Sequence, residues 1–127
     1  MKTSAIIIFL SLIAFTGIQA QMSDIFAAIK AGDANALGKH MDDPVEVCIL
    51  EDQMIHSKRD AIAMISKFFT NNRPTDFKEM HQGSSKGKDS KYTIGSLTTS
   101  SGTYRVYIFV KQSGSKNVIQ EIRFDKG

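Results

Sequence analysis

From Asp76 onward the hydrophobic period of this chain changes to two and stays there, and that change constrains the fold more than any other feature. Downstream, apolar and polar residues alternate in four stretches, Phe77 to Gln82, Tyr92 to Thr99, Tyr104 to Lys111 and Val118 to Asp125, separated by Gly- and Ser-rich connections. A period of two sends successive side chains to opposite faces of a strand, so this half predicts a meander of four antiparallel strands. Upstream, helical spacing alternates with one short period-two stretch. Ile25, Phe26 and Ile29 share one helix face, with Ser23 as N-cap and Gly32 as stop, and Asp33 caps a second helix reaching His40 or Met41. Asp43-Pro44 forbids its continuation. Val45, Val47 and Ile49 alternate with Glu46, Cys48 and Leu50, and the pattern resumes over Met54 to His56, which predicts a short hairpin. Ser57-Lys58-Arg59-Asp60 has capping-box spacing and precedes Ala61, Ile62, Met64, Ile65, Phe68 and Phe69, a broad apolar face predicting a helix to about Asn71, closed by Pro74. The expected order is helix, helix, hairpin, helix and four-strand meander, an α+β architecture with three helices covering one face of an antiparallel sheet.

The first twenty residues stand apart from this pattern. Lys2, an apolar run from Ala5 to Phe15 and the small-residue stretch Thr16-Gly17-Ile18-Gln19-Ala20 before Gln21 make a signal peptide, with cleavage expected after Ala20. About twenty apolar residues are needed to span a bilayer as a helix, and this run is too short for a stable membrane anchor. The expected product is periplasmic or secreted, a single domain over residues 21–127. The charge of +3 comes from 16 basic and 13 acidic residues dispersed along the chain, which argues against a nucleic-acid partner. Cys48 is the only cysteine, so no intramolecular disulfide forms, and its place in an apolar stretch predicts a buried thiol.

Hairpin register decides which side chains face the helices. With Ser101-Gly102 as a two-residue turn, Leu97 lies opposite Val106 and Gly95 opposite Ile108. Placing Val110 opposite Val118 then collects Leu97, Val106, Ile108, Val110, Val118, Ile122 and Phe124 inside. Tyr92, Ile94, Arg105, Tyr107, Phe109, Ile119, Glu121 and Arg123 collect on the other face. A slip of one residue exchanges the two sets.

Ala31-Gly32-Asp33-Ala34, the Val45-Glu46-Val47 strand and the Ala61 to Phe69 helix, in this order of elements, resemble the nuclear transport factor 2-like (cystatin-like) superfamily. Phe68-Phe69, Pro74, Phe77, His81-Gln82-Gly83, Tyr92-Thr93-Ile94-Gly95 and Gly102-Thr103-Tyr104-Arg105-Val106 resemble a narrower set, an uncharacterised secreted Bacteroidota family, domain of unknown function 4783. The resemblance implies a strongly curved sheet wrapped around helices as a cone with a cavity at its mouth. It implies no catalytic residues, because superfamily members include isomerases, dehydratases and binding modules.

Steroid-isomerase-like relatives place an acidic base in that cavity. Under the register above no acid faces inward: Glu121 and Asp125 fall outside, Glu46 is solvated and Glu79 is undecided. Tyr104, Gln120, Thr93 and Thr99 are the inward polar groups, suited to hydrogen bonding rather than proton abstraction. His40, His56 and His81 lack ligand spacing, so neither metal nor organic cofactor is expected. His81 joins Tyr104 and Gln120 as candidate contacts for a small apolar ligand at the cone mouth. Tyr92, Ile94, Arg105, Tyr107, Phe109 and Ile119 are candidates for a face contacting a second copy or a protein partner. A non-catalytic binding or interaction module is the expected function, with a cofactor-independent isomerase or dehydratase as the alternative. The polar segment Gly83 to Lys91 lacks the strand-loop-helix setting of a phosphate-binding loop and reads as a solvated connection.

Overall fold

Side-chain caps start two of the helices where the sequence places them. In the structure, a computed structural model describing residues 21–84 and 89–127, Asp33 Oδ1 accepts the amide of Ala36 at 3.0 Å, and Ser57 Oγ accepts that of Asp60 at 3.2 Å. Helix α1 occupies 21–31, so Ser23 lies inside it rather than capping it. Helix α2 (Ala34–Gly38) is shorter than expected, because Met41 already belongs to strand β1 (Met41–Ile49). Strand β2 (Asp52–His56) completes the first hairpin, and α3 (Lys58–Asn71) follows with Ala61, Ile65, Phe68 and Phe69 buried. Pro74 opens β3 (Pro74–Ser84), ahead of β4 (Ser90–Thr99), β5 (Gly102–Ser113) and β6 (Lys116–Lys126). The expected signal peptide, residues 1–20, lies outside the described residues, as do residues 85–88 of the Gly83 to Lys91 connection.

One six-stranded sheet runs in the order β2-β1-β6-β5-β4-β3. Every pair is antiparallel except β1 and β6, whose parallel contact joins the N-terminal hairpin to the meander and makes the sheet mixed. Register shifts interrupt three of the ladders. They lie between Pro74 and Asp76 and between Glu79 and His81 on β3, between Met41 and Glu46 on β1, and between Phe109 and Val110 in the β5–β6 pair. Each shift bends and twists the strands locally, and together they curve the sheet around its helices. Gly95 contributes a close approach: a Cβ there would overlap the Phe77 ring, which packs on Phe26 of α1 at 5.5 Å between centroids.

The turn between β4 and β5 is Ser100-Ser101, with Leu97 opposite Tyr104 and Gly95 opposite Val106. This displaces the expected pairing by two residues, an even number, so the faces of both strands are preserved. The β5–β6 hairpin departs differently. Val106 pairs with Phe124 and Ile108 with Ile122, but Val110 pairs with Ile119, which leaves Gln120 as an extra, unpaired residue. That bulge reverses the alternation beyond it. Ile119, expected on the helix-free face, is fully buried in the core, and Val118, expected inside, is half-buried on the opposite side. The core otherwise gathers Leu97, Val106, Ile108, Val110, Ile122 and Phe124 against Ile25, Ile29, Leu37, Ile65, Phe68 and Phe69. Cys48 is buried, its thiol donating to the Leu50 carbonyl at 3.2 Å.

Candidate functional site

The three side chains expected to meet at the cone mouth do not converge. Met80 is the extra residue of a β3 bulge, so His81 pairs with Ile94, whose side chain points to the helix-free face, and His81 is exposed there. Tyr104 does face the helices, but its hydroxyl donates to Asn72 Oδ1 at 2.9 Å while its ring meets Phe68 edge-on at 5.1 Å. Asn72 in turn donates through Nδ2 to the Phe68 carbonyl at 3.1 Å, so Tyr104 ties the C-terminus of α3 to β5. Gln120, displaced by its bulge, donates to Asp42 Oδ2 at 2.7 Å. That bond, followed by the Asp43 amide, holds the Asp42 carboxyl below its ordinary range by stabilising the charged form. Each of the three polar groups has a separate place in the fold.

Two other regions carry the surface chemistry. The first is a cavity of about 610 Å³ at the open end of the sheet, between α1 and the β3–β4 pair. Met22 and Phe26 supply apolar walls, and Glu79, Gln82, Lys91 and Thr93 supply polar ones. Glu79 is opposite Gly95 on the helix side of β3, which settles its facing. It is exposed to solvent rather than enclosed among apolar groups.

The second region is the helix-free face. Tyr92 on β4 and Tyr107 on β5 stack with ring centroids 6.1 Å apart and planes 24° apart. Ile94 stands opposite Tyr107 and Phe109 opposite Tyr92, all four half-buried. Gly83 makes room for this cluster, since a Cβ there would overlap the Tyr92 ring. No spacing rule flags that glycine from sequence, because the ring crosses from the neighbouring strand. Toward β6 and β1 the face becomes charged. Arg105 is exposed opposite Asp125, and Tyr107 lies opposite Arg123. Glu46 and Glu121 are direct neighbours on the parallel pair, and Gln53 donates to Glu46 at 3.0 Å. Burial, then the hydrogen bond that protonated Glu121 donates to Glu46 and the charge of Glu46, push the Glu121 carboxyl above its ordinary value of 4.5. Burial chiefly, with Glu121 adding to it, raises the Tyr107 hydroxyl. Among the described residues no group of three or more His, Cys, Asp or Glu could hold a metal ion. No described helix is long and apolar enough to cross a membrane.

Comparison with solved structures places the fold. A DUF4783 family protein from Bacteroides ovatus ATCC 8483 is 34% identical and superposes with a TM-score of 0.76 over 82% of this chain and 93% of its own. A domain of unknown function with a cystatin-like fold from Nostoc punctiforme PCC 73102 is 10% identical, with a TM-score of 0.66 over 88% and 76%. An NTF-2 like protein of unknown function from Silicibacter pomeroyi DSS-3 is 14% identical, with a TM-score of 0.61 over 90% and 93%. The last two likenesses concern the fold alone and support the curved α+β cone. No curated protein matches the chain. The family model described as Domain of unknown function (DUF4783) matches residues 22–125, and the chain belongs to that family.

Proposed function

We propose that this protein is an exported, non-catalytic interaction module that associates through the helix-free face of its sheet with a second copy or a protein partner. One observation carries the reading: Tyr92, Ile94, Tyr107 and Phe109 form a contiguous aromatic and aliphatic strip that no described helix covers. An uncovered apolar strip edged by charged groups is the composition of a contact surface, with Arg105, Glu121 and Arg123 as its polar rim. Ile119 has no part in it. Light scattering on the chain starting at Gln21 tests the homodimer. A dimer mass that Tyr107→Ala reduces to a monomer is expected, and a monomer at high concentration with no response to Tyr107→Ala overturns self-association.

A second reading rests on the cavity between α1 and the β3–β4 pair, whose volume of about 610 Å³ lies within the range of small-molecule sites. Its Phe26 and Met22 walls suit a small apolar ligand, with Gln82 and Thr93 as orienting groups. Native mass spectrometry of the purified protein tests for a co-purifying ligand. The isomerase or dehydratase alternative requires Glu79 as base, and turnover of a ligand so identified, abolished in Glu79→Gln, replaces the non-catalytic reading with it.

A further inference from the structure

We propose that Gln21, as the first residue of the exported chain, is a self-modification site: its α-amine closes on its own side chain to form a pyroglutamyl lactam, assisted by the backbone amide of Asn117. The proposal rests on cleavage after Ala20, part of the export reading above. Its structural basis is a hydrogen bond in which the Asn117 N–H donates to Gln21 Oε1 at 2.9 Å. This contact joins α1 to the start of β6, and Asn117 itself is buried. A donor aimed at an amide oxygen polarises the carbonyl and stabilises negative charge developing on that oxygen when a nucleophile adds.

Cleavage after Ala20 supplies the nucleophile within the same residue. The neutral α-amine nitrogen adds to Cδ, placing negative charge on Oε1 beside the Asn117 N–H. The C–N bond of the five-membered ring forms, the Cδ–Nε2 bond breaks, and Nε2 leaves as ammonia after taking the proton lost by the amine. No oxidant, reductant or further reactant enters. The oxygen that accepted the Asn117 amide becomes the lactam carbonyl, so the hydrogen bond can outlast the reaction.

The product also suits its position. A free α-ammonium at residue 21 would sit at the positive end of the α1 dipole, whereas the lactam carries no charge. With an unperturbed α-amine pKa of about 7.7–8.0, the reactive neutral form is appreciable near neutral pH.

The test uses two preparations, which separates failure of the lactam from failure of the export reading. Among the described residues the core cluster runs from Ile25 to Phe124, and a chain released by a protease to begin at Gln21 can be followed by intact mass at about pH 8. A loss of one ammonia about tenfold faster in the folded chain than in urea is expected, with the advantage lost in Asn117→Pro. Equal or slower closure in the folded chain overturns the assisted reaction, whatever the fold of Asn117→Pro. Full-length protein exported from cells supplies the second readout. A blocked N-terminus at residue 21 supports the proposal, a persistent free Gln21 amine refutes it, and a start at another residue refutes the cleavage position on which it rests.

Discussion

The second and third hairpins of the meander, β4–β5 and β5–β6, differ by a single residue. β4 and β5 pair without interruption from Ser90 opposite Lys111 to Thr99 opposite Gly102. β5 and β6 pair regularly only until Gln120 bulges out. The uninterrupted ladder keeps Tyr92, Ile94, Tyr107 and Phe109 together on the helix-free face. The interrupted one withdraws Ile119 into the core and leaves Glu121 and Arg123 outside. One face consequently has an aromatic half on β4–β5 and a charged half on β6–β1. A bulge therefore does more than bend a strand: it reassigns every side chain beyond it.

The strongest way to break this contrast is to truncate the residue that the bulge moved. Ile119→Ala is expected to lower unfolding stability by about 2–5 kcal/mol, as for a fully packed aliphatic side chain, while Val118→Ala costs less than about 1 kcal/mol. Urea denaturation of the two variants checks this, and the reverse order would restore the uninterrupted register. Crowding the regular ladder comes next. Gly95→Ala drives a methyl into the Phe77 ring and is expected to cost about 1–3 kcal/mol in the same assay.

These paired residues also show what was legible in the sequence. Period-two stretches identified all four meander strands, and Asp33 and Ser57 marked two helix starts, because local hydrogen bonding and alternation set those features. The β4–β5 turn was misplaced by one residue, which shifts the pairing by two, without harm, since an even slip keeps Leu97 and Val106 inside. Gln120 and Met80 were illegible as bulges: neither is glycine, and nothing local distinguishes a bulged residue from a paired one. Ile119 and Val118 were assigned to the wrong faces because of the Gln120 bulge, and the Met80 bulge turns His81 away from the helices. The parallel β1–β6 contact depends on chain segments far apart in sequence, so no local signal announces it.

Smaller effects sharpen the account of the polar groups. Tyr104→Phe removes the hydrogen bond to Asn72 and is expected to cost about 0.5–1.5 kcal/mol in urea denaturation, because Tyr104 braces α3. A ligand role for Tyr104 would instead leave stability unchanged. Gln120→Leu tests the bulge through pH. Asp42 is held below its ordinary value of 3.8 chiefly by Gln120, so its contribution to stability is present above that value and lost as pH falls through the folded-state pKa. Acid unfolding of Gln120→Leu is expected to show a smaller loss in this window. Glu121 has the opposite sign: its folded pKa is raised above 4.5, so ionising it costs stability as pH rises from that value. Glu121→Gln should therefore melt higher than the parent at neutral pH, with the difference vanishing in acid, whereas a lower melting temperature at neutral pH would show that the Glu121 charge is stabilising.

The division of the outer face into an aromatic and a charged half is tested most directly by nuclear magnetic resonance with a soluble paramagnetic agent, comparing dilute and concentrated samples of the chain that starts at Gln21. Self-association through the β4–β5 half predicts that Ile94 methyl and Phe109 ring signals become shielded from the agent on concentration, while Met54 and Ile55 on the edge strand β2 stay accessible. Equal accessibility of Ile94 and Phe109 at both concentrations would contradict self-association through this face.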